Sequence, residues 1–309
     1  SLAVNIKTPE GLSIVKKLVA QADVVSENFR PGVMDKLGLG YEAIREINPS
    51  VVYAAASGYG QDGPYRDRPG QDLLIQALSG LANITGSEDQ PPTPVGVSAA
   101  DHHGAMILAM AILAALLRRE RTGQGGRVDV DLLSAGLDLQ METLVCYANG
   151  PPVSQRAAPN LGGWHYQAPY GIYEVSDGHV AISLGPMKSL ANALSLPALT
   201  DFKVDDTFTH RREIAASVQG AVREMTVECL CDRLDAENIW NAPVNDYAKV
   251  LEDPQVRFNG SLLKIESTHG SPMTLLAHPA KYDGKRPGVR LPPQLLGAQS
   301  EEILGELGY

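Results

Sequence analysis

An α/β fold is predicted, with a parallel sheet in the first half of the chain and a second domain of mixed α+β character behind it. Three observations carry this. Amphipathic stretches alternate with short apolar runs from Thr8 to Tyr59. One of those runs, Val51-Val52-Tyr53-Ala54-Ala55-Ala56-Ser57, is apolar almost throughout, and an Asp-Gly turn signal follows a change of composition after Asn149. A strand apolar on both faces is buried on both faces, the environment of a parallel sheet covered by helices.

Taken in order, Pro9 to Ala22 is an amphipathic helix and Asp23 to Phe29 a short strand; Tyr41 to Ile47 repeats the helix and Val51 to Ser57 the strand. Gly58, Gly60 and Gly63 then fall at the carboxyl edge of the sheet, where ligands of such folds bind. Gln71 to Ile84 reads as one helix and Ser87 to Val97 as a Pro-rich loop. Ser98 to Arg119 reads as a long helix, apolar on every side in its middle and so placed at the centre of the core. Arg118, Arg119 and Arg121 suit its negative pole, and Gly123 closes it. Arg127 to Leu132 is a further strand and Ser134 to Ala148 a further helix.

Pro151 to Pro169, rich in Pro, Gly and polar residues, marks a linker or loop. Gly171 to Val175 and His179 to Ser183 flank Ser176-Asp177-Gly178, the signal of a tight hairpin. Helical patterns run from Met187 to Ala236, a Pro-containing loop surrounds Asn241 to Val244, and Ser300 to Leu307 is a short helix that returns to the first domain.

The net charge of -10 and pI near 5.2 exclude non-specific nucleic-acid binding, so any anionic ligand is held by a local cluster. Cys146, Cys229 and Cys231 form an odd set without framework spacing, which implies reduced thiols and a cytoplasmic location. The C-x-C pair lacks the second ligand pair of a zinc site, so no metal is expected. The apolar run Ala105 to Leu117 spans 13 residues, short of the ~20 that cross a bilayer, and no membrane partner is expected. The chain opens on Ser1 and runs directly into Leu2-Ala3-Val4-Asn5-Ile6, as if in mid-domain.

Asp101 is the residue of chemical interest, because the first turn of the long helix favours a negative charge there and keeps the carboxylate ionised. Spacing alone favours a structural role, since Ser98 and Asp101 also read as a capping-box variant. His102 and His103 follow, but adjacent helical side chains diverge by about 100°, which disfavours a shared metal ion. Asn28-Phe29-Arg30 ends the first strand with an amide, a ring and a cation suited to a phosphorylated nucleotide; the plain alternative is a core Phe and a surface Arg.

The runs Asn28-Phe29-Arg30-Pro31-Gly32, Leu37-Gly38, Gly58-Tyr59-Gly60-Gln61-Asp62-Gly63-Pro64, Ala100-Asp101, Arg121-Thr122-Gly123-Gln124-Gly125 and Leu251-Glu252-Asp253-Pro254 together resemble the family III CoA-transferases. The resemblance implies a Rossmann-like large domain over residues 1–150, a linker and glycine loop over 151–168, a smaller α+β domain over 169–275, and a linker returning to the large domain over 276–309. It also implies an interlocked homodimer, with acyl-CoA and a carboxylic acid as substrates and coenzyme A as the carried group. Asp101 matches the family's nucleophile; Asn28, Phe29, Arg30 and Arg68 match positions that hold the CoA nucleotide. Gly162 and Gly163 resemble a loop that closes over the acyl intermediate, and Gln71 or Tyr59 is placed to serve an oxyanion. An N-terminal strand-helix-strand unit common in the family has no counterpart here, which implies a removed segment or a separate fragment. Relatives that racemise 2-methylacyl-CoA carry a His where Gln71 stands, so transfer is the expected chemistry; the alternatives are a racemase or a catalytically silent CoA-binding subunit.

Overall fold

The computed structural model describes residues 1–150, 155–268 and 270–309. The opening of the expected linker, 151–154, lies outside them. Two compact units are distinct, Val19–Val244 and a second formed by Ser1–Leu18 with Asn245–Tyr309.

In the first unit the strands β1 (Val24–Glu27), β2 (Val52–Ser57) and β3 (Gly126–Asp131) form a parallel sheet in the order β1-β2-β3. β2 is central and almost wholly buried, as its apolar run requires. The helix Tyr41–Ile47 lies between β1 and β2 in sequence, as the pattern predicts. Asn48 ends it and ties the crossover down, its side-chain amide donating to the carbonyls of Val19 (3.0 Å) and Ala22 (2.9 Å).

A second, antiparallel sheet joins β4 (Gly171–Val175), β5 (Gly178–Ile182) and β6 (Asn241–Pro243). The Asp-Gly signal does set the hairpin between β4 and β5. The expected loop at Asn241 is instead a three-residue edge strand, where a proline is tolerated because its missing N–H faces away from the ladder. The helices Met187–Leu194, Arg211–Val222 and Val227–Ala236 pack on this sheet around Tyr173, Leu190, Ile214, Leu230 and Leu234, the largest buried core of the chain.

Two expected helices are each split. Gln71 to Ile84 becomes Asp72–Leu78 and Leu81–Ile84, because Gly80 turns left-handed at φ 89°. Ser134 to Ala148 becomes Leu132–Asp138 and Met141–Asn149, parted at Gln140, whose buried amide donates to the carbonyls of Gly136 (2.6 Å) and Ser79 (3.3 Å).

The long helix runs from Ala99 to Thr122 and closes at left-handed Gly123, as expected. Its expected place at the centre of the core is wrong. Only Ala100, Gly104 and Ala115 are buried, while Met106, Met110, Leu113 and Leu117 are each more than half exposed. At 24 residues it is also long and apolar enough, by length and composition, to cross a bilayer.

In the second unit β7 (Leu262–Glu266) pairs antiparallel with β8 (Pro272–Leu276). The terminal helix Ser300–Glu306 is reached by the opening residues of the chain, where the Ala3 N–H donates to Ser300 Oγ at 3.1 Å.

Candidate active site

The carboxyl ends of all three parallel strands open onto a cavity of about 750 Å³. Glu27 and Asn28 line it at the end of β1, Ala56 and Gly58 at the end of β2, Val130 from β3, and Leu132 from the start of the helix that follows β3. Opposite the sheet stand Gln71 and Asp72, and the start of the long helix supplies Asp101 and His102.

Gln71 and Asp72 reach this edge through a contact between two glycines. A Cβ on Gly58 would lie 2.6 Å from the Cα of Gly70, so the two backbones touch and no side chain fits between them. The long helix approaches the start of the helix Leu132–Asp138 at Gly104, where a Cβ would stand 2.9 Å from a Leu132 methyl group.

The carboxylate that caps the long helix is Asp72. Its Oδ1 accepts the N–H groups of Ala100 (2.9 Å) and Asp101 (3.1 Å), and its Oδ2 accepts Gln76 Nε2 at 2.5 Å. Gln76, buried, in turn donates to the Val97 carbonyl (3.2 Å) and accepts the Val95 N–H (2.8 Å), which fixes the entry to the helix. The capping box expected of Ser98 and Asp101 is not formed, because Ser98 makes no side-chain cap bond. Among the described residues the Asp101 carboxylate accepts no hydrogen bond, although it lines the cavity. Burial pushes its carboxyl above the ordinary carboxylate value, the Asp72 charge pushes the same way, and His102 opposes both. Glu27 is also raised by burial, opposed chiefly by the Phe29 N–H, which donates to its carboxylate at 2.7 Å.

The structure brings Asn28, Gln71 and Asp101 to one cavity. Phe29 and Arg30 stand just beyond Asn28; Phe29 is exposed rather than spent in the core, and the Arg30 guanidinium has no hydrogen bond or ion pair among the described residues. Tyr59 and Arg68 do not line the cavity. They flank Tyr65, Tyr59 edge-on at 5.7 Å between ring centroids and Arg68 over the ring at 4.0 Å. Gly162 lies on a different concavity, beside Tyr170 and Trp240, and its N–H is already donated to the Tyr170 carbonyl at 2.9 Å. Gly163 packs under Tyr166, where a Cβ would stand 2.9 Å from the ring.

Asp72 is the residue that sequence reasoning missed. Its partners lie 28 and 29 positions downstream, beyond any local motif. The two histidines also part company: His103 Nε2 meets Asp138 Oδ2 at 2.7 Å, whereas the His102 side chain has no hydrogen bond or ion pair among the described residues and faces the cavity.

The family model described as CoA-transferase family III matches residues 1–300. The chain is 34% identical over 316 residues to a succinyl-CoA:glutarate CoA-transferase of Mus musculus, covering 99% of this chain and 71% of that protein. It is 32% identical to the succinyl-CoA–L-malate CoA-transferase beta subunit of Chloroflexus aurantiacus, covering 99% and 79%. A crystal structure of a CAIB/BAIF family protein from Brucella suis has the same mixed α/β fold, with a TM-score of 0.83 and 30% identity over 99% of this chain and 81% of that one.

Proposed function

Because the chain belongs to CoA-transferase family III, we propose that it moves CoA from an acyl-CoA donor to a carboxylic acid by way of covalent intermediates on Asp101. One observation carries the assignment of the nucleophile: the Asp101 carboxylate faces the cavity without a hydrogen bond among the described residues, while Asp72 does the capping. An Asp that served only to secure the helix would have its oxygens occupied by main-chain amides.

In the proposed course, an Asp101 oxygen attacks the donor thioester carbonyl, the C–S bond breaks, and CoA leaves as thiolate from a mixed anhydride. The thiolate attacks the aspartyl carbonyl and expels the donor's acid as a carboxylate, leaving an aspartyl-CoA thioester. The acceptor carboxylate then reverses the two steps and restores Asp101. No net proton is taken or released. Gln71 lines the same cavity, and its amide N–H is a candidate donor for the oxyanions. Phe29 and Arg30 supply an exposed ring and a cation unpaired among the described residues for the CoA nucleotide, with Asn28 beside them, and Arg68, stacked on Tyr65, is assigned to its phosphates.

A two-base racemase is disfavoured because the relatives are named CoA-transferases and the Gln71 amide cannot take a proton from carbon; of the two histidines that could supply a second base, His103 is held by Asp138 and His102 faces the cavity. In the same reading the Rossmann-like portion is the β1-β2-β3 region. The bare flank of the long helix is the face that a second copy of the chain covers, rather than a lipid-facing surface, since Asp101, His102 and His103 all fall in its opening turns.

The decisive experiment incubates the protein with an acyl-CoA and hydroxylamine and reads the mass of the peptide carrying Asp101. A hydroxamate at Asp101 is expected, together with loss of exchange in Asp101→Ala. Exchange at the wild-type rate in that variant rejects the assignment.

A further inference from the structure

We infer that His102 is the specificity-determining residue for the acceptor, binding the far carboxylate of a dicarboxylic acid while its near carboxylate attacks the aspartyl carbonyl of the CoA thioester on Asp101. This rests on the covalent role proposed for Asp101.

Four ionisable side chains line the cavity: Glu27, Asp72, Asp101 and His102. Three are acids, so an entering anion meets a negative wall unless a donor offsets it. His102 is the one basic side chain in that lining, and it has no hydrogen bond or ion pair of its own among the described residues. Its neighbour His103 lacks that freedom, being paired with Asp138 at 2.7 Å.

The reaction sequence sharpens the point. While Asp101 is a carboxylate it is the charge His102 faces, and the imidazole draws the Asp101 titration down. Once Asp101 is esterified as the CoA thioester its charge is gone. The imidazole N–H then faces a neutral acyl group at the moment the acceptor must bind. Asp72 does not compete for it, because its oxygens are engaged by Ala100, Asp101 and Gln76.

Geometry separates the two roles. Successive helical side chains diverge by about 100° with a rise of about 1.5 Å, so His102 flanks the reacting centre instead of stacking on it. A carboxylate held by His102 is thus placed to the side of the reacting carbonyl, which suits an acceptor with a second carboxylate free to attack. The relatives that carry glutarate and L-malate in their names are in keeping with this acceptor class.

The test measures exchange from succinyl-CoA to glutarate and to pentanoate, an acceptor of equal chain length lacking the second carboxylate, in the wild type, His102→Leu and His102→Gln. His102 is exposed at the helix surface, so neither change removes a core contact. The expected result is a wild-type preference for glutarate that falls about 10–100-fold in His102→Leu through a higher KM, the loss set by one charge-assisted hydrogen bond. His102→Gln, which keeps an N–H donor, falls between. An unchanged glutarate-to-pentanoate ratio in His102→Leu, or no wild-type preference for glutarate and malate over monocarboxylates, overturns the inference. The hydroxamate trap at Asp101 is read in the same samples: a trap with an unchanged ratio sinks His102 alone, and no trap in the wild type sinks the covalent reading beneath it.

Discussion

Replacing Asp72 with Ala tests the division of labour between the two acids at the start of the long helix. The substitution removes the acceptor of the Ala100 and Asp101 amides and of Gln76 Nε2. Loss of a side-chain cap costs about 0.5–2 kcal/mol. Gln76 is 2% exposed; its Oε1 still accepts the Val95 N–H, but its Nε2 keeps only the Val97 carbonyl, so the stranded N–H adds a cost at the low end of about 1–3 kcal/mol. The sum is about 1.5–3 kcal/mol, read as a lower midpoint in urea unfolding at constant slope. Exchange should fall as well, because the turn that holds Asp101 loosens. Asp72→Asn keeps one carbonyl oxygen for the amides and should cost less. It also deletes the like charge that helps raise the Asp101 carboxyl, so the acid limb of the kcat/KM profile should move to lower pH. If Asp72→Ala unfolds within about 0.5 kcal/mol of the wild type, as a neutral surface substitution does, Asp72 is not the cap. The case for an uncommitted Asp101 then fails with it.

Gly58→Ala forces a Cβ to 2.6 Å from the Gly70 Cα, so the backbones must part; a loss of about 1–3 kcal/mol is expected by urea unfolding, with exchange reduced because Gln71 follows Gly70. Tyr173 is buried, donates to the Pro169 carbonyl at 2.8 Å, and burial pushes its hydroxyl well above the ordinary value. Its contribution is intact below the unfolded tyrosine pKa of about 10 and is lost as pH rises from there toward the folded value. Tyr173→Phe should flatten the fall in thermal midpoint at alkaline pH, and an unchanged slope counts against it. Leu113→Glu on the exposed flank of the long helix should lower the oligomer mass in sedimentation velocity, and an unaltered mass frees that flank from the proposed interface.

Much of the fold was legible because local and global signals agreed. The apolar run at Val51 to Ser57 could be stable only inside a parallel sheet, and Asp177-Gly178 could hardly join anything but a hairpin. Apart from the local turn at Gly80, the failures have a common cause: the deciding partner was distant in sequence. Gln140 breaks its helix by bonding back to Ser79, 61 positions earlier. Asn241 becomes a strand because β5 lies beside it. Ser98 and Asp101 satisfy the capping-box spacing, yet the amides were claimed by an acid 28 residues upstream. Asp101 and its cavity neighbours Asn28 and Gln71 could be named from motifs, but nothing local distinguished His102 from His103. Asp138, 35 positions from His103, makes that distinction.

The long helix joins the site to the bare surface. Periodicity reports that a side chain is apolar, not whether a neighbour in the same chain covers it, and so the sequence suggested a core helix. Its fully buried positions are small ones: Ala100, Gly104 and Ala115 seat the helix closely, and Gly104 lets it approach Leu132. Ile107, Leu108, Ile112 and Leu116 are half-buried beside them, and Arg119 ties the far end to Asp23 at 2.8 Å. Met106, Met110, Leu113 and Leu117 stay exposed, with about 1.5–3 kcal/mol per side chain to be gained if fully covered. Whatever covers them clamps the same helix whose first turn carries Asp101 and His102. Assembly and catalysis are then coupled through one rigid element, and the mass and exchange rate of a flank variant should decline together.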